Sequence, residues 1–330
     1  MHKKISFTLF FVLLFSFHMN SQTGETDSLL RKLNTAKTYE KAAIYNRLAK
    51  TDAKNNPEKR IKYATEALSV AGETGQIKEK LTALMQIATG YAYLGDNNKA
   101  LEYDLQALET AQKINDDKQF ATVYLNLGYD YYYAGIPEKA LEFNLKSLEA
   151  KNRLLEKGRL NSDKSFAASY NNIGSLYNML GNYDKAIEYH NKALNIREKY
   201  SDSTGIATSL HNMGTVYEKM DKNQKAGKYY RNALTIRKKL GNKRQIAETL
   251  NNLGVVYKKL NDDKQALNCY FQAIELFKTV GDKGKITAAA NNIAGLYIKE
   301  KKPDKAFPFI KKSLEAAGKT GQKQILPEIY

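Results

Sequence analysis

The stretch LNNLGVVY at Leu250–Tyr257 returns along the chain at a fixed interval. Three further copies lie at intervals of forty residues: YNNIGSLY at Tyr170–Tyr177, LHNMGTVY at Leu210–Tyr217 and ANNIAGLY at Ala290–Tyr297. Weaker copies are LMQIATGY at Leu84–Tyr91 and YLNLGYDY at Tyr124–Tyr131. A constant period in this range is typical of stacked, equivalent supersecondary units, so the repeat predicts a solenoid.

Each copy carries a small residue and, three positions later, a tyrosine. The small column is Ala88, Gly128, Gly174, Gly214, Gly254 and Ala294, and the tyrosines are Tyr91, Tyr131, Tyr177, Tyr217, Tyr257 and Tyr297. These offsets, with the apolar residue before each small one, define one face of a helix, which we call helix A. We expect the small residue to let a neighbouring helix approach closely.

A turn and a second helix, helix B, follow each tyrosine. Gly95, Gly135 and Gly181 are expected helix stops, and Asp221, Asn261 and Lys301 replace them in later repeats. Helix B has a small column at Ala100, Ala140, Ala186, Ala226, Ala266 and Ala306. It also has an aromatic column at Tyr103, Phe143, Tyr189, Tyr229 and Phe309, interrupted by Cys269.

The combined pattern resembles the tetratricopeptide repeat. Its residues are Leu250, Leu253-Gly254 and Tyr257 in helix A, followed by Ala266, Tyr270 and Ala273 in helix B. The forty-residue period matches the longer-helix variant found in kinesin light chains and many bacterial regulators. The resemblance extends from about Lys41 to the C-terminus. It implies an all-α fold, a right-handed superhelical solenoid of about seven helix-turn-helix repeats.

The N-terminus has the order of a secretory signal peptide. Lys3 and Lys4 precede the apolar run Ile5–Phe17, and small Ser21 is a plausible residue before a cleavage site. The apolar run is shorter than the roughly 20 residues of a membrane-spanning helix. We therefore expect an exported protein, periplasmic or secreted, with an uncleaved anchor as the alternative. The expected segments are a signal peptide (1–21), an N-terminal capping segment (22–37), the repeat array (38–323) and the start of an incomplete eighth repeat (324–330).

The chain is strongly basic. Its formal net charge of +17 falls to +15 when Lys3 and Lys4 leave with the signal peptide. A basic chain suits an acidic protein or peptide, an anionic lipid or a polysaccharide, and export argues against nucleic acid. Cys269 is the single cysteine, so an intramolecular disulfide or a CxxC pair is impossible.

A ladder of polar side chains accompanies the small column and forms the main candidate site. Its members are Asn126, Asn171, Asn172, His211, Asn212, Asn251, Asn252, Asn291 and Asn292. The resemblance places these positions on the concave groove. An asparagine can pair with both polar groups of a peptide backbone, so the ladder could hold an extended peptide. Alternatively, the amides bond across neighbouring helices and fix the stack.

Two further groups complete the candidate groove. Tyr129 and Tyr133 give its N-terminal part aromatic character, and Lys219, Lys258 and Lys259 make its C-terminal part basic. Such a groove would suit a peptide with apolar and acidic parts. The alternative is that the tyrosines pack between helices and the lysines are solvated. The family's carboxylate clamp has no counterpart, because the corresponding positions hold residues such as Thr208 and Asn212.

No pattern in the sequence indicates catalysis. HExxH, GxSxG, P-loop and Rossmann motifs are all missing, and His190 and His211 have no carboxylate at ligand spacing. We expect no metal and no cofactor, and a packed core thiol at Cys269.

The sequence therefore predicts a non-enzymatic protein- or peptide-binding scaffold of the cell envelope. One alternative is the periplasmic sensory part of a truncated membrane signalling protein, a histidine kinase or a helix-turn-helix regulator. That alternative is analogy drawn from the family. A third possibility is electrostatic binding to anionic surfaces, which salt would abolish.

Overall fold

The computed structural model describes residues 24–51 and 56–320, and every regular element within these ranges is an α-helix. This confirms the all-α prediction. The chain divides after Ser162 into two compact units. The expected signal peptide (1–21) and the expected start of an eighth repeat (324–330) lie outside the described residues.

In the first unit, helices pair in sequence order: α2 with α3, α4 with α5 and α6 with α7. A further helix, α1, covers residues 24–35, within the segment for which a cap is predicted. The bounds of the others are α2 Thr38–Thr51, α3 Pro57–Glu73, α4 Ile77–Leu94, α5 Asn97–Ile114, α6 Asp117–Tyr133 and α7 Pro137–Glu156.

The second unit has four helix pairs within its described part, α8 with α9 through α14 with α15. Their bounds are α8 Phe166–Met179, α9 Tyr183–Lys199, α10 Ser203–Lys219, α11 Asn223–Leu240, α12 Lys243–Lys259, α13 Asp263–Thr279, α14 Lys283–Lys299 and α15 Pro303–Thr320. Even-numbered helices from α2 to α14 are helices A, and odd-numbered helices from α3 to α15 are helices B.

Short polar residues begin most of these helices. Their side chains accept a hydrogen bond from the backbone N–H of the first turn, which satisfies a donor that the helix itself leaves unpaired. These N-caps are Asn56, Asp96, Asp116, Asn182, Asp202, Asn242, Asp262 and Asp282.

In the six hairpins from α4–α5 to α14–α15, the turn places one residue in the left-handed region. Gly95, Gly135 and Gly181 have positive φ, as the sequence predicts, and Asp221, Asn261 and Lys301 each adopt φ 59° at the equivalent position. The backbone N–H of the residue that follows the left-handed one then donates to the carbonyl of the repeated tyrosine. These bonds of 2.8–3.0 Å end at Tyr91, Tyr131, Tyr177, Tyr217, Tyr257 and Tyr297.

The two aromatic columns meet within the hairpins. The rings of Tyr91 and Tyr103 stack with centroids 5.7 Å apart, and those of Tyr217 and Tyr229 stack at 5.1 Å. Cys269 replaces the aromatic partner of Tyr257 and is buried, which confirms the predicted core thiol. Each repeated tyrosine therefore joins helix A to its own helix B.

Candidate functional site

Polar side chains of helix B reach helix A through the small column. A Cβ added to Gly214 would lie 2.7 Å from ring carbon Cδ1 of Tyr230, and one added to Gly254 would lie 2.5 Å from Cε1 of Tyr270. Glycine at these positions therefore makes room for a side chain sixteen residues later. The same spacing joins Gly128 to Asn144 and Gly174 to His190.

Several members of the predicted ladder bond to one another across successive helices A. In the second unit, the amide nitrogen of Asn212 donates to Oδ1 of Asn171 at 2.9 Å, joining α10 to α8. The amide of Asn252 lies 3.5 Å from Nε2 of His211, joining α12 to α10. For these residues the structure supports the alternative in which the ladder fixes the stack.

Arginine side chains near the ends of helices B contact members of this ladder. Nη1 of Arg237 lies 3.1 Å from Nδ1 of His211 and donates to Oγ1 of Thr249 at 2.6 Å and to the carbonyl of Gln245 at 3.1 Å. Arg237 is only 3% exposed. Burial, and then the charges of Arg237 and Lys285, lower the pKa of His211 to about 3, so its ring is neutral at physiological pH.

Arg197 makes the same set of contacts one repeat earlier. It donates to Oδ1 of Asn171 at 3.4 Å, to Oγ of Ser209 at 2.7 Å and to the carbonyl of Gly205 at 3.0 Å. The sequence reasoning missed both arginines. Their shared position, forty residues apart near the end of helix B, was the signal that could have found them.

Other ladder members keep free hydrogen-bonding capacity. The side chains of Asn251, Asn291 and Asn292 are half-buried and make no hydrogen bond within the part of the chain that the structure describes. Oδ1 of Asn251 is itself buried without a partner there. Asn172, by contrast, is half-buried on α8 and has an interaction partner. The unpaired amides of Asn251, Asn291 and Asn292 lie on α12 and α14, at the C-terminal end of the ladder.

The candidate lysines of the second unit are all exposed, but they differ in their partners. Lys259 lies 3.6 Å from Oε1 of Glu218 and 3.9 Å from Oδ1 of Asp221. The side-chain ammonium groups of Lys219 and Lys258 make no ion pair or hydrogen bond with any described residue. Two of the three predicted cations are therefore unpaired within the part of the chain that the structure describes.

In the first unit the ladder meets a pair of buried acids. The amide nitrogen of Asn126 donates to Oδ1 of Asp104 at 3.3 Å, and Asp104 shares a hydrogen bond with Asp130 of α6. Both carboxyls are more than nine-tenths buried. Burial raises the pKa of each, and the charge of Asp130 raises that of Asp104 further, so the pair retains a proton well above the usual range.

The predicted aromatic residues of the first unit lie at the surface. Tyr129 is 46% exposed and Tyr133 is 65% exposed, and both are near the end of α6.

Nothing in the described residues forms a metal centre, because no three His, Cys, Asp or Glu side chains come together. Burial raises the pKa of the Cys269 thiol to about 11, so the reactive thiolate is scarce at neutral pH. Across residues 24–51 and 56–320, none of the helices has the length and apolar character required to span a membrane.

A family model for the tetratricopeptide repeat matches residues 79–153, 165–239 and 205–279, which together exceed half of the chain. The chain belongs to the tetratricopeptide repeat family. The resemblance read from the repeated stretch is thus confirmed. No curated protein sequence matches this tetratricopeptide repeat chain significantly.

Solved structures share the fold of this tetratricopeptide repeat protein at low identity. The apo form of RapI has a TM-score of 0.67 and 20% identity, covering 85% of this chain and 99% of that chain. A STAND signal-transduction ATPase with a tetratricopeptide repeat sensor, from Pyrococcus horikoshii, has a TM-score of 0.65 and 19% identity, and the match covers 84% of this chain and 45% of that chain. A Rap protein complexed with competence and sporulation factor has a TM-score of 0.58 and 15% identity, and the match covers 90% of this chain and 78% of that chain.

Proposed function

We propose that this protein is a non-enzymatic binding scaffold that holds an extended peptide segment of a partner against helices A of its second unit. The observation that carries the proposal is the set of unpaired amides at Asn251, Asn291 and Asn292. Each amide offers a donor and an acceptor, and an extended backbone presents both. Pairing of this kind holds a peptide largely independently of its side chains.

Charge and fold support the same proposal. Lys219 at the end of α10 and Lys258 on α12 are exposed cations on helices A of the second unit, which favours a partner with acidic residues. The similarly folded Rap protein has been solved in complex with competence and sporulation factor, so a fold of this kind can hold a bound factor.

The test uses an immobilised array of random fifteen-residue peptides and purified protein. Wild-type protein should bind a reproducible subset, and the Asn251→Ala/Asn291→Ala/Asn292→Ala variant should bind that subset at least tenfold more weakly. The control is Asn191→Ala/Asn232→Ala/Asn268→Ala, which removes three exposed amides from helices B. Absence of binding by wild-type protein, or equal losses in the two variants, would overturn the proposal.

The proposed location of the scaffold is the cell envelope, reached by export. The proposal is based on residues 1–21 of the sequence, which have the order of a signal peptide. Mass spectrometry of the protein recovered from an envelope or culture fraction tests it. A mature N-terminus at Gln22 is the expected result, and retention of Met1 to Ser21 in the cytoplasm would reject export.

A sensory role within a larger signalling protein is the second candidate. It is favoured by the fold shared with the repeat sensor of the Pyrococcus horikoshii signal-transduction ATPase. The mass of the natural protein decides between the two. A mass well above that of the 330-residue chain would favour the sensor, and one that matches the processed chain would favour the free scaffold.

A further inference from the structure

One carboxylate of the chain itself shows what a tyrosine of helix B can bind. The Tyr230 hydroxyl is 3.1 Å from Oε2 of Glu218 and 3.0 Å from Oγ1 of Thr215. The amide nitrogen of Asn252 donates to the same hydroxyl at 3.4 Å. The buried phenol of Tyr230 is therefore satisfied by a carboxylate, a hydroxyl and an amide, all supplied by neighbouring helices A.

The next repeat keeps the phenol but replaces two of its partners. Forty residues on, Tyr270 occupies the position of Tyr230, Val255 that of Thr215 and Lys258 that of Glu218. The Tyr270 ring is fully buried, and its hydroxyl has no hydrogen-bond partner among the described residues. The carboxylate of Glu218 therefore has no counterpart beside Tyr270, because the equivalent residue is the cationic Lys258.

Other groups around this position also await a partner. Nζ of Lys258 lies 3.9 Å from where a Cβ on Gly295 would be, so the ammonium reaches α14 at a residue without a side chain. Asn292 lies one helical turn before Gly295 and corresponds to Asn252. Its side-chain amide makes no hydrogen bond within the described chain.

Unpaired buried polar groups are costly, and a nearby cation lowers the cost of bringing in an anion. A carboxylate would accept from the Tyr270 hydroxyl and from the Asn292 amide while it pairs with the ammonium of Lys258. We propose that this place, the Tyr270 site (Tyr270, Lys258 and Asn292), receives an aspartate or glutamate side chain of the bound peptide. This inference rests on the proposed peptide-binding function and assigns the position of the peptide's acidic residue.

The experiment compares pairs of peptides chosen from the fifteen-residue array, each pair differing by Glu or Gln at one position. Wild-type protein should prefer Glu over Gln by about tenfold at one position of the bound peptide, as for one charge-assisted hydrogen bond. Lys258→Glu should abolish or invert that preference. Lys264→Glu, which makes the same charge change at an exposed position of α13, should retain it.

Tyr270→Phe gives a second readout that does not depend on net charge. It should reduce the Glu preference at least threefold while Tyr230→Phe leaves it unchanged. Array binding without any Glu preference, or a preference equally reduced by Lys258→Glu and Lys264→Glu, would overturn the Tyr270 site and leave the scaffold standing. Loss of all array binding by wild-type protein would overturn the scaffold itself.

Discussion

The ring of Tyr230 lies directly against Gly214, so closely that a Cβ on Gly214 would be 2.7 Å from Cδ1 of the ring. The size of each residue in the small column of helix A is thus explained by the helix B side chain that faces it within the same hairpin. Where the facing residue is Asn, His or Tyr, the column holds glycine. Where it is Asp104 or Ile310, the column holds alanine, at Ala88 and Ala294.

We expect Gly214→Ala to destabilise the second unit by about 1–3 kcal/mol, because the added methyl overpacks the Tyr230 ring. Alanine gains up to about 1 kcal/mol of helix propensity over glycine, so the sign of the change separates packing from propensity. The measurement is chemical denaturation. Combining the change with Tyr230→Ile, which imitates the Ala294 and Ile310 pair, should recover much of the loss; strictly additive losses would show that the two residues do not interact.

Two chemically identical substitutions should have different effects on stability. Tyr230→Phe removes a hydroxyl bonded to Glu218 and Asn252 and should cost about 1 kcal/mol. Tyr270→Phe removes a buried hydroxyl that has no partner in the described residues, and should be neutral or stabilising. Thermal denaturation of both variants at one pH gives the comparison. Equal losses would mean that the Tyr270 hydroxyl is already satisfied.

The first unit should become less stable as pH rises, because of its buried acid pair. The pKa of Asp104 is raised in the folded state, so folding favours the protonated form, and stability falls once pH exceeds the unfolded value of about 3.9. Asp104→Asn introduces the residue found at the equivalent Asn144 and removes this titration. The midpoint of thermal unfolding of the variant, relative to wild type, should rise from pH 4 to pH 8. Parallel curves would contradict the shared proton.

The second unit should show the opposite trend in acid. The pKa of His211 is lowered to about 3, whereas unfolded histidine has about 6.5, so the unfolded state takes up a proton first as pH falls. Stability is therefore present above about pH 6.5 and is lost below it. Between pH 7 and pH 5, wild type should lose about 1–2 kcal/mol relative to His211→Gln. His190 is present in both proteins and cancels, and a constant difference would show that folding does not shift the pKa of His211.

The sequence was sufficient for the architecture because the residues that define it are chemically uniform. Tyr91, Tyr131 and their counterparts recur in the six hairpins from α4–α5 onward, and the stacking of Tyr91 on Tyr103 follows from two columns that can both be read from the sequence. Left-handed turns at Gly95, Gly135 and Gly181 were readable for the same reason. Asp221, Asn261 and Lys301 confirm that the turn keeps its geometry even where the residue is less suited to it.

The candidate site was only partly readable, because the column that faces the glycines varies from repeat to repeat. Asp104, Asn144, His190 and Tyr230 share a position and burial but no common chemistry, so they do not stand out as a column. Nor does sequence say whether an amide faces a neighbour or a ligand. Asn171 and Asn251 occupy equivalent positions eighty residues apart, yet Oδ1 of Asn171 accepts from Asn212 whereas Oδ1 of Asn251 has no partner within the described chain.

The pairing of Gly214 with Tyr230 also bears on how such a chain can be inherited. Both partners lie sixteen residues apart inside one forty-residue segment, so a tandem duplication copies the fitted pair intact. Each new copy therefore already contains a glycine and a facing side chain that fit each other. Its surface residues can then change without matching changes in neighbouring repeats. The hydrogen bonds between side-chain amides, such as that between Asn212 and Asn171, join separate segments. They must therefore be acquired again each time segments are shuffled.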